Sequence, residues 1–262
     1  MSAPGPSNPP PGPPPAPALS RGVLARVFVR SLFLQAAWNP QGMQNLGFAF
    51  AVAPALRALY PDPARRLAAA NRHLEFFNCH PYLAAAIIGA ALHVEQQVAS
   101  GALPPEKVTQ LKRALGPPFA AIGDGFYWVA LRPAAALLAA LCAPRLGLWS
   151  LLVFLVVYNL GHVAGRIWLF TQGLLHGPAV VTSLGRLRIP LATGWLKLAS
   201  AVLAGALASQ AALSNAVGGR AWHGLLIGCV TVAAVALVPK VRFAVALYAA
   251  LLLGLVAGGS LL

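Results

Sequence analysis

The chain has 262 residues, 58% of them hydrophobic and only 9% charged, with a formal charge of +14. Soluble domains carry about 25% charged residues, so an ordinary cytosolic enzyme and a disordered regulator are both excluded. The 19 lysines and arginines stand singly or in pairs between long apolar runs, as in loops flanking membrane spans, and not on one polar face as nucleic acid would require.

The reading is an all-α integral membrane protein: a multi-span helical bundle with discontinuous or re-entrant helices and interfacial amphipathic helices. Residues 1–20 form a separate tail. Nine prolines between Pro4 and Pro17 leave neither helix nor sheet available, which predicts a disordered, partly polyproline segment. Arg21, Arg26 and Arg30 then precede an uncharged stretch from Ser31 to Leu56. It is long enough to span, since about 20 apolar residues suffice, but its middle is polar. Trp38 to Asn45 places Pro40, Gly42 and four carboxamides between two apolar arms. Irregular backbone at membrane depth needs protein or a watered cavity to satisfy it, so this is read as a broken helix with a polar elbow.

Residues 57–78 read as an interfacial amphipathic helix. Asp62 followed by Pro63 is an N-cap with proline at the first helical position. Leu67, Leu74 and Phe77 recur at helical spacing, with Arg65, Arg66, Arg72 and Glu75 on other faces. Phe76 to Val94 is free of acids, lysines and arginines and is long enough to enter the bilayer. A second amphipathic piece runs from Pro105 to Leu115, with Val108, Leu111 and Leu115 on one side. From Ala114 to Leu131, Gly116-Pro117-Pro118 and Gly123-Asp124-Gly125 predict another broken helix; two interrupted segments in one chain point to a transporter's substrate region. Leu146–Gly165, Leu198–Gly219, Ala221–Pro239 and Phe243–Leu262 are uncharged runs of spanning length, while 167–190 is left undecided. The basic flank after the tail places the N-terminus in the cytoplasm, and the charges around the last three spans place the C-terminus outside.

Chemistry-bearing groups are few. All five acids lie between Asp62 and Asp124, and neither paired carboxylates nor a Ser/His/Asp set is present in recognisable spacing. Cys79, Cys142 and Cys229 lie far apart in apolar surroundings, with no metal-ligand spacing. No catalytic, metal or cofactor site is expected. The candidate substrate-binding or gating residues are Trp38, Asn39, Gln44, Asn45, Asn78, His80 and Asp124. Carboxamides suit sugar hydroxyls and an indole face suits a pyranose ring, but the same amides also suit a broken backbone. Asp124 reads either as a polar group near a gate or as an N-cap for a helix beginning at Phe126. His80 reads as a hydrogen bonder at the start of a helix, a phosphoacceptor or a ligand.

Arg30 to Asn39 (RSLFLQAAWN), Met43 to Phe48 (MQNLGF), Arg72 to Tyr82 (RHLEFFNCHPY), and Gly116 with Ala121 to Asp124 (AIGD) together resemble the IID component of mannose/fructose/sorbose-family sugar phosphotransferase systems (PTS). The likeness is dense and in order from about residue 26 to 134, then thins to hydrophobic pattern. It differs at Pro40-Gln41-Gly42, where the family has a Tyr-Glu-Arg-like stretch, and at Gly125, where it often has Ser. The resemblance implies an IID-like membrane domain over 21–262, with a broken-helix region 21–134 and spanning helices over 135–262. It further implies a multi-pass subunit of the bacterial inner (cytoplasmic) membrane. That subunit pairs with IIC to translocate a hexose-type sugar, while cytoplasmic IIA and IIB relay phosphate from phosphoenolpyruvate to that sugar. The implied partners are thus IIC, the IIA/IIB relay, the sugar and the lipid bilayer, with no nucleic acid; IID itself is not a phosphorylated subunit. The alternative is a non-transporting membrane scaffold or regulator built on the same fold.

Overall fold

The computed structural model describes residues 18–214, with side chains through Leu207. Its residues are helical almost throughout, and among the described residues there is no strand, only two isolated bridges. The expected runs Ala221–Pro239 and Phe243–Leu262, and the tail through residue 17, lie outside the described residues. The chain divides into two compact units that are discontinuous in sequence: residues 18–121 with 165–186, and residues 122–164 with 187–214.

In the first unit, α1 (Arg21–Ser31) is capped by Ser20, whose hydroxyl accepts from the Val23 amide. It packs on α2 (Asn45–Leu59), so the predicted break is present as two helices joined by the connection 32–44. A Cβ on Gly47 would overlap the Leu34 carbonyl oxygen, and glycine is what lets the connection lie directly on α2. α3 (Pro63–His73) begins as its sequence predicts: the Asp62 carboxylate accepts from the Arg65 amide at 2.7 Å and Pro63 occupies the first turn. It is shorter than expected and its buried face is Ala69 and His73, whereas Leu67 and Leu74 are exposed. Of the three apolar positions that recur at helical spacing, only Phe77, beyond the end of α3, is buried.

α4 (Ala84–Ala99) is the centre of this unit, with nearly every residue from Ala84 to Leu92 buried. Its packing against the last turns of α7 (Ser150–His176) is backbone on backbone. A Cβ on Gly173 would strike the Ala86 carbonyl oxygen, and one on Gly89 the Phe170 carbonyl oxygen. Small residues let helices approach this closely. The predicted piece from Pro105 to Leu115 forms the start of α5 (Glu106–Gly123), with Val108, Leu111 and Leu115 buried as expected. After α7, a 3-10 turn (Gly177–Ala179) and α8 (Val180–Arg186) close the unit.

The second predicted break takes a different form. α5 continues through Pro117 and Pro118. Proline removes a backbone donor and frees the carbonyl four residues earlier; here Pro117, Pro118, Arg113 and Ala114 all lie on the exposed side of the helix. From Asp124 to Leu131 the backbone is π-helical and then passes into α6 (Arg132–Leu146). The irregularity is a change of hydrogen-bond register, not a break, and π segments concentrate at functional positions. Gly147, at φ +52°, ends α6.

The second unit comprises this π segment, α6, the 3-10 turn Gly147–Trp149, the first part of α7 and α9 (Ile189–Ser214). α6, α9 and the π segment pack together. α9 starts nine residues before the expected Leu198, and the undecided stretch 167–190 is the end of α7, the 3-10 turn and α8, with the start of α9. Among the described residues one helical run, Glu106–Leu207, is long and apolar enough to cross a membrane. Within it, α7 has 27 residues, about 40 Å at 1.5 Å per residue, against a hydrocarbon thickness of about 30 Å. Its Leu151, Leu152, Leu155, Val156, Leu160 and Val163 are exposed, which suits lipid and not water.

Candidate functional site

The elbow between α1 and α2 is fixed by its own amides. Asn39 and Met43 exchange backbone hydrogen bonds at 3.1 and 2.8 Å, and Asn39 Oδ1 accepts from the Gly42 amide at 2.8 Å. Met43 therefore sits at φ +57°, a left-handed position that non-glycine residues seldom take. Asn39 Nδ2 donates to Asn45 Oδ1 (3.0 Å), and Asn45 Nδ2 donates to the Leu74 carbonyl (2.7 Å). The Asn45 side chain lies where a Cβ on Gly42 would be, so glycine is required there.

The elbow also binds the segment before α4. The Gln44 amide donates to the Phe77 carbonyl at 2.9 Å. Its side chain then imitates a peptide group, donating to the Cys79 carbonyl (2.8 Å) and accepting from the Cys79 amide (3.0 Å). Gln44 is 2% exposed, so both hydrogen bonds form away from water, where an unmade one costs about 1–3 kcal/mol.

The structure thus brings Asn39, Gln44 and Asn45 together with the 77–80 segment. At the edges of that pairing Trp38 and Asn78 are exposed. His80 is buried; its Nδ1 accepts from the Tyr82 amide (3.3 Å) and its carbonyl accepts from the Ala84 amide (2.9 Å), which is how a residue ahead of a helix start behaves. Asp124 belongs to the second unit. It does not cap a helix beginning at Phe126, because Gly123 before it is already helical and the π segment starts at Asp124 itself. Its half-buried carboxyl is therefore within a continuous helix, in a register that exposes Trp128 and Val129.

A cluster that sequence reasoning missed lies behind the elbow. Glu95, fully buried on α4, receives Arg72 Nε (2.7 Å), Arg72 Nη2 (3.0 Å), the Tyr60 hydroxyl (2.6 Å) and His73 Nε2 (2.9 Å). Burial alone would raise the Glu95 carboxyl, but the hydrogen bonds from His73, Arg72 and Tyr60 outweigh it and hold the group at about 2. Burial pushes the His73 imidazole below its ordinary 6.5, so we read it as neutral, donating from Nε2. Its Nδ1 has no hydrogen-bond partner among the described residues, and its ring stacks on Phe48 at 5.4 Å. Burial and the Glu95 carboxylate together push the Tyr60 phenol upward, so it stays a donor.

Lys112 of α5 completes the arrangement. Its ammonium donates to the Arg72 and His73 carbonyls (3.0 and 3.3 Å), at the C-terminal end of α3, and lies 4.8 Å from the Phe48 ring centroid. A cation there complements the helix dipole. One signal was available in the sequence: Glu95 is an acid directly after a long uncharged run, which demands a buried partner. Among the described residues no group of three or more His, Cys, Asp or Glu could hold a metal.

The fold and these sites define a helical membrane protein with a polar elbow locked against a buried ion cluster. Comparison with known proteins specifies it further. The family model for the PTS system mannose/fructose/sorbose family IID component matches residues 18–217, and the chain belongs to that family. The mannose-specific EIID component of Escherichia coli (strain K12) is 38% identical over 169 residues, 64% of this chain and 60% of the relative. The fructose permease IID component of Bacillus subtilis (strain 168) is 29% identical over 193 residues, 73% and 70% of the two chains. The chain spans about 60% of the length of the E. coli relative. Of solved structures, one described as a membrane protein superposes with TM-score 0.66 at 35% identity, covering 72% of this chain and 70% of that one. The mannose transporter ManYZ in complex with microcin E492 superposes at 0.59, also at 35% identity, covering 74% and 71%.

Proposed function

We propose that this chain is the IID membrane subunit of a PTS sugar permease, paired with a IIC subunit. Together they move a hexose-type sugar across the bacterial inner membrane to a cytoplasmic IIB, which phosphorylates it with phosphate received from IIA. The chain passes the membrane several times with its N-terminus in the cytoplasm. Family membership supports the reading, and one observation carries it at the level of residues. The elbow amides tie the 32–44 connection to Leu74 and Cys79 while leaving the Trp38 indole and the Asn78 carboxamide exposed at the edge of that pairing. An exposed indole face and an amide that both donates and accepts suit a sugar ring and its hydroxyls. Asn39, Gln44, Asn45 and His80 then serve the path by positioning those two, and Asp124 is a separate candidate gating residue of the second unit. The same amides favour a second reading, a non-transporting scaffold or regulator, because their hydrogen bonds are already committed within the fold.

Uptake of labelled sugars by cells carrying IIA, IIB and IIC, with and without this chain, tests the proposal. Uptake should require the chain. Trp38→Ala and Asn78→Ala should each lower it by roughly tenfold, the loss of about 1–3 kcal/mol, while the variants still co-purify with IIC. Undiminished uptake without the chain overturns the transport reading, and full assembly with unaltered uptake in both variants selects the scaffold.

A further inference from the structure

The outer side of the α1–α2 hairpin carries a groove with no role in the elbow or the ion cluster. Phe33, Ala36, Ala37, Leu46, Gly47 and Phe50 line a cavity of about 310 Å³. Its walls are hydrocarbon, and a sugar or ordered water, which needs two to four polar partners, would find almost none. At its rim the Arg30 guanidinium lies 4.6 Å from the Phe50 ring centroid, and Nη1 donates to the Phe50 carbonyl at 3.3 Å. That contact fixes the fork in place while its remaining N–H groups are left to bind an anion. Arg26, one turn earlier on α1, is exposed, as are Val29, Leu32 and Phe33 beside it. The first acid in the sequence is Asp62, so no carboxylate of α1, the connection or α2 competes for these cations.

We propose that this groove binds one anionic phospholipid of the bilayer, its acyl chain against Phe33, Ala37 and Phe50 and its phosphate on Arg30 and Arg26. Charge complementarity selects this occupant. A zwitterionic lipid would fill the groove equally well but gain less from two arginines, since each cation near an anionic headgroup adds about 1 kcal/mol, and a planar guanidinium matches a phosphate. The inference rests on the membrane location of the chain and not on its sugar chemistry, so a failed uptake experiment leaves it standing.

The test uses the full chain purified in non-ionic detergent, with bound lipid counted by native mass spectrometry. Phosphatidylglycerol and phosphatidylcholine of matched acyl chains are titrated separately. The wild type should retain phosphatidylglycerol at least tenfold better. Arg30→Gln should cut that preference about fivefold, and the double variant with Arg26→Gln should abolish it. Ala37→Phe, an exposed position whose ring would fill the groove, should lower retention of both lipids with the thermal midpoint unchanged. Added salt should weaken phosphatidylglycerol retention alone. Equal retention of the two lipids by the wild type, or a preference surviving in the double arginine variant, overturns the proposal. So does an Ala37→Phe chain that keeps both lipids at the wild-type level.

Discussion

Replacing Glu95 by Gln removes a charge without removing volume, and so imitates the protonated state of the native carboxyl. That equivalence allows its magnitude to be worked out. A carboxyl that titrates at about 2 in the fold, against its ordinary 4.5, contributes about 3 kcal/mol at neutral pH, at 1.36 kcal/mol per pH unit. The figure agrees with the roughly 3–5 kcal/mol measured when one partner of a buried pair is removed, as expected here because Arg72 would keep a largely buried charge. For a chain of this size the unfolding midpoint should fall by roughly 6–12 °C. The assay is thermal unfolding of the full chain in non-ionic detergent, followed by circular dichroism. The depressed pKa fixes the sign of the pH dependence: stabilisation by Glu95 is complete above 4.5 and is lost as pH falls through about 2. The gap between wild type and Glu95→Gln should therefore be full at pH 7 and close toward pH 2. Glu95→Leu combined with Arg72→Met should be better tolerated than Glu95→Leu alone, since the pair leaves no orphaned charge. A variant that melts with the wild type at pH 7, or a gap unchanged at pH 2, refutes the argument.

Other outcomes follow from the same geometry. Gly173→Val should lower the melting midpoint by roughly 5 °C or more because its side chain meets the Ala86 carbonyl on α4, while Gly161→Ala on the same helix, with open space around it, should be neutral or slightly stabilising. Gln44→Ala removes both side-chain hydrogen bonds to the buried Cys79 backbone and should destabilise by about 2–4 kcal/mol, read as proteolytic sensitivity of the 32–44 connection; equal sensitivity in wild type and variant would count against the peptide-mimic role. Asp62→Ala should cost about 1 kcal/mol and Asp62→Asn almost nothing, a difference that thermal unfolding resolves. Because burial lowers the His73 pKa, wild-type stability should begin to fall as pH drops below 6.5, and His73→Gln should remove that early part of the acid loss, leaving the part that begins at 4.5.

By itself the sequence determined the helical membrane class, through its scarcity of charge, and the start of α3, because an Asp-Pro cap acts within four residues of itself. It also marked the interruption between α1 and α2, since Pro40, Gly42 and four carboxamides cannot continue an apolar helix. The family motifs gave the assignment that the comparisons then showed. What it left open were matters of which face meets which neighbour. The periodicity around Leu67 and Leu74 defines two sides of α3 but not which is inward; the side carrying Arg72 and His73 turned in because Glu95, 23 and 22 residues further on, was waiting on α4. Pro117 and Pro118 predict a break from local sterics, yet the helix continues through both, with the prolines and the residues four positions earlier on its exposed side. Gly89 and Gly173 carry no local signal, as their value appears only when two helix backbones meet. Local rules act over one helical turn, whereas a buried charge or a close helix contact is settled by a partner distant in sequence, and only the tertiary structure supplies that partner.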